Sequence, residues 1–323
     1  MQAIDAPLIP EAAAAHTAPG HMTIGLLAGL GAGALWGLVF VAPRMLGPGY
    51  SSVDLTAGRF AAYGALACAW MLWGWRRSAK PTWRQAAAAA GLSLLGFTGY
   101  YLLLVLGIAR AGTEVPALII GTIPVWVMLL GKPQGLRWRS LWPGLMLTAA
   151  GLALMASASL HGGAGGAVGA SRPLQVQGWL LCVAAMVCWT AFALLNSAWL
   201  KGHPEVKASD WANWLGVATG LGGLLLWLVA GSPASVLQAQ PDQGRFLALC
   251  LATGFGSAWL ATLLWNMASQ RLSASLCGQL IVSETLFALL YSFAWDGQWP
   301  SAAQWAACVL FALGILSSVR AHR

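Results

Sequence analysis

Ten apolar stretches follow one another along this chain, near residues 23–42, 53–75, 85–108, 114–131, 141–157, 178–200, 211–230, 245–267, 273–294 and 302–319. Most are close to the roughly 20 residues that carry a helix across the hydrocarbon of a bilayer. The stretch at 141–157 is the shortest. Lipid offers no hydrogen-bond partner to a bare backbone group, so such a chain folds as helices or as a closed barrel. A barrel strand alternates apolar and polar residues over segments of about ten, and these runs do not alternate. The expected fold class is all-α, with ten transmembrane helices. Hydrophobic residues make up 59% of the chain and charged ones 8%, against about 25% charged in a soluble domain. The longest hydrophilic gaps are the N-terminal tail, 158–177 and 231–243, which leave no room for an extramembrane catalytic domain.

The remaining segments read simply. Residues 1–22 hold no Lys or Arg and no apolar core, unlike a secretory signal, and are expected to form a disordered cytoplasmic tail. Residues 158–177 contain "HGGAGGAVGASRP", a Gly-rich linker by composition. The net charge of +8 could suggest nucleic acid, but its distribution is a topology signal. With the N-terminus inside, twelve Lys and Arg fall on the cytoplasmic side and five (Arg44, Arg59, Arg110, Arg172, Arg245) on the other. That bias follows the positive-inside rule and puts both termini in the cytoplasm. No nucleic-acid patch is needed. The six cysteines lie within spans and none form C-x-x-C, so no metal site is expected.

Two passages repeat. "GALWGLVF" (33–40) and "MVCWTAF" (186–192) set Trp36 and Trp189 at the same point of the first and sixth spans. "GFTGYYLLL" (96–104) resembles "GFGSAWLATL" (254–263) in the third and eighth. Five helices per half is an odd number, which turns the second copy upside down. The expected architecture is two inverted five-helix repeats, 23–157 and 178–320, a recurrent build of secondary transporters.

With "ALWGLVFVAPRML" opening the first helix, "LTAGRFAAYGAL" in the second, "IIGTIPVWVMLLG" with Pro124 and Val125 in the fourth, and "ETLFALLYSFAWDGQWPSAAQWAACVLFALGIL" across the last two, the chain resembles the EamA type of the drug/metabolite transporter superfamily. The resemblance covers about residues 23–320. It implies a multi-pass protein of the bacterial inner membrane that exports a small solute, without cofactor. Two positions depart from the family pattern: Glu284 stands where the family often has Pro, and Lys132 where an acidic residue often follows the fourth helix.

Several residues could carry function. Gly25, Gly29, Gly33 and Gly37 form one stripe that lets a neighbouring helix approach closely. Most of the 19 tryptophans fall at span ends, as in an interfacial belt. Trp36, Trp126, Trp189 and Trp259 are too deep for that, and Tyr100 and Tyr101 lie at similar depth. These six either pack helices or line a substrate pocket. Phe255, Trp259, Thr262 and Asn266 form a stripe at regular helical spacing. Glu284 is the sharpest feature, a carboxylate near the centre of an apolar run. A charge at that depth costs at least about 2.5–3.5 kcal/mol. It is either protonated and hydrogen-bonded, or paired with a basic residue such as Arg59, or open to a water-filled cavity.

The function expected is a proton-coupled secondary transporter of a small metabolite, amino acid or drug-like solute, with Glu284 as the coupling group. Its partners are the solute, protons and the lipid bilayer. An uncoupled exchanger or facilitator, an intramembrane enzyme and a structural membrane subunit are the alternatives. The five histidines (16, 21, 161, 203, 322) all lie outside the spans, which disfavours the enzyme. The orientation makes a direct prediction. Cysteines introduced at Lys80 or Arg137 stay unlabelled by an impermeant thiol reagent added to intact cells; labelling at either site reverses the topology.

Overall fold

The chain is described here by a computed structural model covering residues 19–46, 49–74, 79–111, 114–133, 135–161, 172–297, 299 and 301–322. Helices dominate it, and no strand occurs among the described residues. In chain order they are α1 (Pro19–Gly37), α2 (Ser52–Trp73), α3 (Trp83–Ala111), α4 (Glu114–Gly121), α5 (Ile123–Leu130), α6 (Trp138–His161), α7 (Arg172–Gly202), α8 (Ala208–Ala230), α9 (Ala234–Ala239), α10 (Gln243–Arg271), α11 (Ala274–Asp296) and α12 (Ala302–Ala321). Among the described residues, six of these (α3, α7, α8, α10, α11, α12) are long and apolar enough to cross a membrane by length and composition.

Polar caps set several starts. Ser51 accepts from the Asp54 backbone N–H at 3.1 Å and Asp54 accepts from that of Ser51, a capping box at α2. Thr82 with Gln85 does the same for α3, and Ser301 with Gln304 for α12. Pro124, in the first turn of α5, cannot continue an incoming helix, and the fourth apolar stretch is accordingly split at Thr122 into α4 and α5. The fifth stretch is longer than its apolar run, because Trp138, Arg139 and the Ser/His end extend α6 at both sides. The 231–243 gap holds the short α9. Most of the N-terminal tail (1–18) and of the linker (162–171) lies outside the described residues, as do Trp75, Arg76 and Arg77.

Small residues decide which helices touch. A Cβ added at Gly29 of α1 would meet Leu280 of α11, one at Gly33 would meet Ser283, and one at Gly37 would meet Phe287 and Ala288. The predicted glycine stripe is thus the α1–α11 contact. Gly64 of α2 and Gly220 of α8 stand back to back, an added Cβ on either lying 2.6 Å from the other's Cα. Gly107 of α3 approaches Gly178 and Cys182 of α7, and Gly144 of α6 approaches Gly314 and Ser318 of α12. Polar side chains add specific joints. Gln279 of α11 donates to Thr148 of α6 at 3.0 Å and accepts from Ser318 of α12 at 3.1 Å. Asp54 accepts from both the backbone N–H and the hydroxyl of Ser232, each at 2.7 Å, which ties the start of α2 to the chain after α8.

Two helices depart from regular winding, each at the same kind of place. α3 contains a π-helical segment at Leu94–Thr98 and α10 one at Gly254–Leu260. These are the two "GF" passages that repeat in sequence.

The Gly64–Gly220 contact is backbone on backbone, so no side chain can yield. Gly64→Leu should therefore destabilise the fold by about 1–3 kcal/mol or more and lower its thermal midpoint. Gly91 of α3 has nothing within reach of a new Cβ, and Gly91→Ala should be neutral or stabilising by up to about 1 kcal/mol. Equal effects of the two in a detergent melt would contradict this packing.

Candidate functional site

The site is built where α1, α7, α10 and α11 converge with α2 and α3 alongside. α1 and α11 run in the same direction, since Gly29, Gly33 and Gly37 meet Leu280, Ser283 and Phe287 in turn. Trp36 therefore stands near the level of Glu284. Its ring lies 6.3 Å from that of Trp189 on α7, at 78°, and 5.4 Å from that of Trp265 on α10. Trp189 and Trp265 are 6.2 Å apart, which closes a triad of indoles in tilted and edge contacts. Such geometry suits the ring quadrupoles better than a face-to-face sandwich. Tyr100 packs against the same apolar cluster.

Glu284 is partly exposed rather than sealed into the helix contact. Arg59 projects from α2, with its guanidinium 5.0 Å over the Phe60 ring and its Nε buried without a hydrogen-bond partner. Arg59, Tyr100 and Glu284 are close enough to act on one another electrostatically. Among the described residues no direct salt bridge joins Arg59 to Glu284. The geometry thus brings an acid and a base from different helices into one neighbourhood while leaving both open to other partners.

The other sequence-predicted residues fall elsewhere. Tyr101 turns to the start of α2, donating to the Ser52 carbonyl at 3.0 Å beside a cavity of about 320 Å³. Trp126 is 43% exposed on α5 and donates to Thr122 of its own helix. Trp259 donates to Asn213 of α8 at 2.8 Å, stacks on the exposed Phe255 and meets the exposed Trp70 in a tilted contact. The predicted α10 stripe does not stay on one face: Phe255 is exposed while Thr262 and Asn266 are buried. The π segment between 254 and 260 explains this, because a wider turn shifts the phase of every residue after it. Trp265 completes the triad and was missed, since it lies outside the repeated passages that pair Trp36 with Trp189. A cavity of about 760 Å³ lies where α1 and α11 end, lined by Tyr50, Gln240, Asp242, Arg245 and Trp295 among others.

Comparison with known proteins bears on the family and the fold. The model of the EamA-like transporter family matches residues 23–157. The inner membrane protein YtfF of Escherichia coli (strain K12) is 34% identical over 314 residues, covering 93% of this chain and 96% of that protein. A crystal structure of a protein 20% identical in sequence superposes with a TM-score of 0.72, over 94% of this chain and 99% of that one, a likeness of fold.

The triad and Trp126 should respond differently to truncation. Trp265→Ala removes a buried indole and should cost about 3–5 kcal/mol, whereas Trp126→Ala, with its ring 43% exposed, should cost far less. Comparable melting points for the two variants would show that the triad does not hold the helices together.

Proposed function

We propose that this chain, which belongs to the EamA-like transporter family of the drug/metabolite transporter superfamily, is a secondary transporter that moves a small solute across the inner membrane by alternating access. Ten helices cross the bilayer as two inverted halves, 23–157 and 178–320, joined by the Gly-rich linker 158–177 and preceded by a cytoplasmic tail, 1–22. Both termini face the cytoplasm. The pairing of helices supports this symmetry: α3 packs on α7 as α10 packs on α1, α2 packs on α8, and α6 on α12. The paired π segments support it independently.

The observation that carries the reading is the meeting of Trp36 with Trp189, the repeat-related tryptophans of the two halves, at 6.3 Å. Contacts between the halves are the ones that must change when access alternates. A pocket walled by Trp36, Trp189 and Tyr100, with Trp265, suits a solute with an apolar or aromatic body. Tyr101, Trp126 and Trp259 stand apart from that wall, bonded to Ser52, Thr122 and Asn213.

Glu284 couples transport to protons in this proposal. An intramembrane carboxylate without a fixed salt bridge is free to gain and lose a proton as the cavity opens to either side. Arg59 is the cation that competes with the proton for this carboxylate. Entry of one proton down 100 mV is worth about 2.3 kcal/mol, enough to hold a modest gradient of a neutral solute. Export is the direction the family resemblance implies.

Purified protein in liposomes, assayed with and without a pH gradient against amino acids, amines and drug-like solutes, tests the whole reading. Glu284→Gln keeps shape and hydrogen bonding but cannot ionise. It should insert normally, lose proton-driven accumulation, and retain exchange at equal concentrations. Glu284→Asp should keep partial coupling at a shifted pH. Accumulation by the Gln variant equal to that of the parent at every pH across about 5 to 8 would remove Glu284 from the coupling step.

A further inference from the structure

The chain contains three asparagines, and all three are fully buried in its second half. Asn196 lies on α7, Asn213 on α8 and Asn266 on α10, each 0% exposed. They stand six residues before Gly202, five after Ala208 and five before Arg271. At 1.5 Å of rise per residue, each is about 8–9 Å from the same end of the bundle. Residues far apart in sequence thus lie at one level of the bundle, a belt of neutral amides in two hydrogen-bonded sets, Asn196 with Asn266 and Asn213 with Trp259.

The direction of the hydrogen bonds in this belt is forced. An indole N–H donates and never accepts. Trp211 Nε1 donates to Asn196 Oδ1 at 2.7 Å, so the Asn196 amide group must present its NH2 elsewhere. It donates to Asn266 Oδ1 at 3.1 Å. Asn266 is left with its own NH2. Separately, Trp259 Nε1 donates to Asn213 Oδ1 at 2.8 Å, leaving the Asn213 NH2. Flipping any of the three amides would set donor against donor, so the network itself assigns them. Asn213 Nδ2 and Asn266 Nδ2 are buried with no acceptor from the protein, and so is Trp265 Nε1, on the residue before Asn266. The hydroxyls of Thr190 and Ser197 on α7 are also buried without partners.

Every amide oxygen in the belt is engaged, and the unmet demand is for acceptors. A buried donor left unpaired is costly, and three together are rare in a native structure. The belt adjoins the triad through Trp265 itself, and Thr190 follows Trp189. We propose that the belt is a subsite for an acceptor oxygen, a carbonyl or carboxylate of the solute, taken by the N–H groups of Asn266, Trp265 and Asn213. Neutral amides do not demand an anion, and an ammonium group would find no acceptor among them. The binding chemistry stands on the hydrogen-bond network; that the occupant is cargo rests on the transport reading.

With only three asparagines, the test is direct. Full-length protein labelled with ¹⁵N at asparagine and held in phosphatidylcholine nanodiscs gives three side-chain amide pairs, assigned by single Asn→Ser variants. Acetate and acetamide serve as acceptor probes, and methylammonium as a probe with no acceptor. The Asn266 and Asn213 signals should move saturably with an acceptor probe, Asn196 least, and none with methylammonium. A response to acetate alone assigns the belt to carboxylates, and a response to acetamide as well extends it to neutral carbonyls. Asn266→Asp replaces the donor by an acceptor and should weaken binding about tenfold or more; if that variant fails to fold, the parent titration decides. Signals that ignore both acceptor probes but exchange with solvent mean that the belt holds water only, and overturn the proposal. Moving signals in a protein that shows no flux would retire the transport reading and keep the belt. Flux with unmoved signals would do the reverse.

Discussion

Between helices surrounded by lipid, the hydrophobic effect supplies no attraction, because a leucine facing acyl chains is as well off as one facing another leucine. What remains is close approach, and this fold obtains it with glycine. The α1–α11, α2–α8, α3–α7 and α6–α12 contacts each pass through a glycine whose missing side chain admits a neighbour's backbone or a small side chain. Everything functional hangs from these crossings. Gly33 and Gly37 set α1 against the turns of α11 that carry Glu284 and Phe287, and thereby bring Trp36 to that level. A bulkier residue in the stripe would move the indole and the carboxylate apart together.

Polar groups then select among the close-packed arrangements that glycine permits. The Gln279–Thr148–Ser318 joint locks three helices by side-chain hydrogen bonds in the interior. The amides of Asn196 and Asn266 join α7 to α10, and Tyr63 reaches the Ala212 carbonyl at 2.6 Å to join α2 to α8. The contrast with Arg59 and Glu284 is chemical. The Gln279 joint is neutral and bonded on both sides, whereas the ionisable Arg59 and Glu284 stand near each other without a salt bridge.

Much of this was legible in the chain, and the limits have physical causes. Capping boxes are local, so Ser51–Asp54, Thr82–Gln85 and Ser301–Gln304 announce helix starts within four residues. The glycine stripe of α1 is periodic within one regular helix and so predicts a real face. Trp36 and Trp189 could be paired because the surrounding passages repeat. Trp265 could not, because it lies beyond the matched passage, 254–263, which itself contains the π segment that changes the winding. The same segment divides Phe255 from Asn266. The asparagine belt escaped for another reason: it depends on three helices meeting at one level, and no single helix contains that information. Nor does sequence distinguish the exposed Trp126 from the buried Trp265, since both faces of a membrane helix are apolar.

The π segments carry a consequence for how the chain can change in length. Each is wound with a wider turn than its helix, and each sits where residues on both sides are already committed to neighbours: Gly96 against Phe192 before Tyr100 in α3, and Gly254 against Ala62 before Trp265 in α10. Deleting one residue within either segment would let the helix return to regular winding with the residues beyond it still facing as they do, whereas losing the wide turn with every residue kept would turn everything beyond it by roughly 100°. In α10 that rotation would carry Trp265 off the triad and Asn266 off Asn196 while leaving the apolar length of the helix almost unchanged. Homologous chains that keep the same span lengths can therefore differ in which side chains meet at the centre according to whether the wide turn is kept, a difference that hydropathy cannot register.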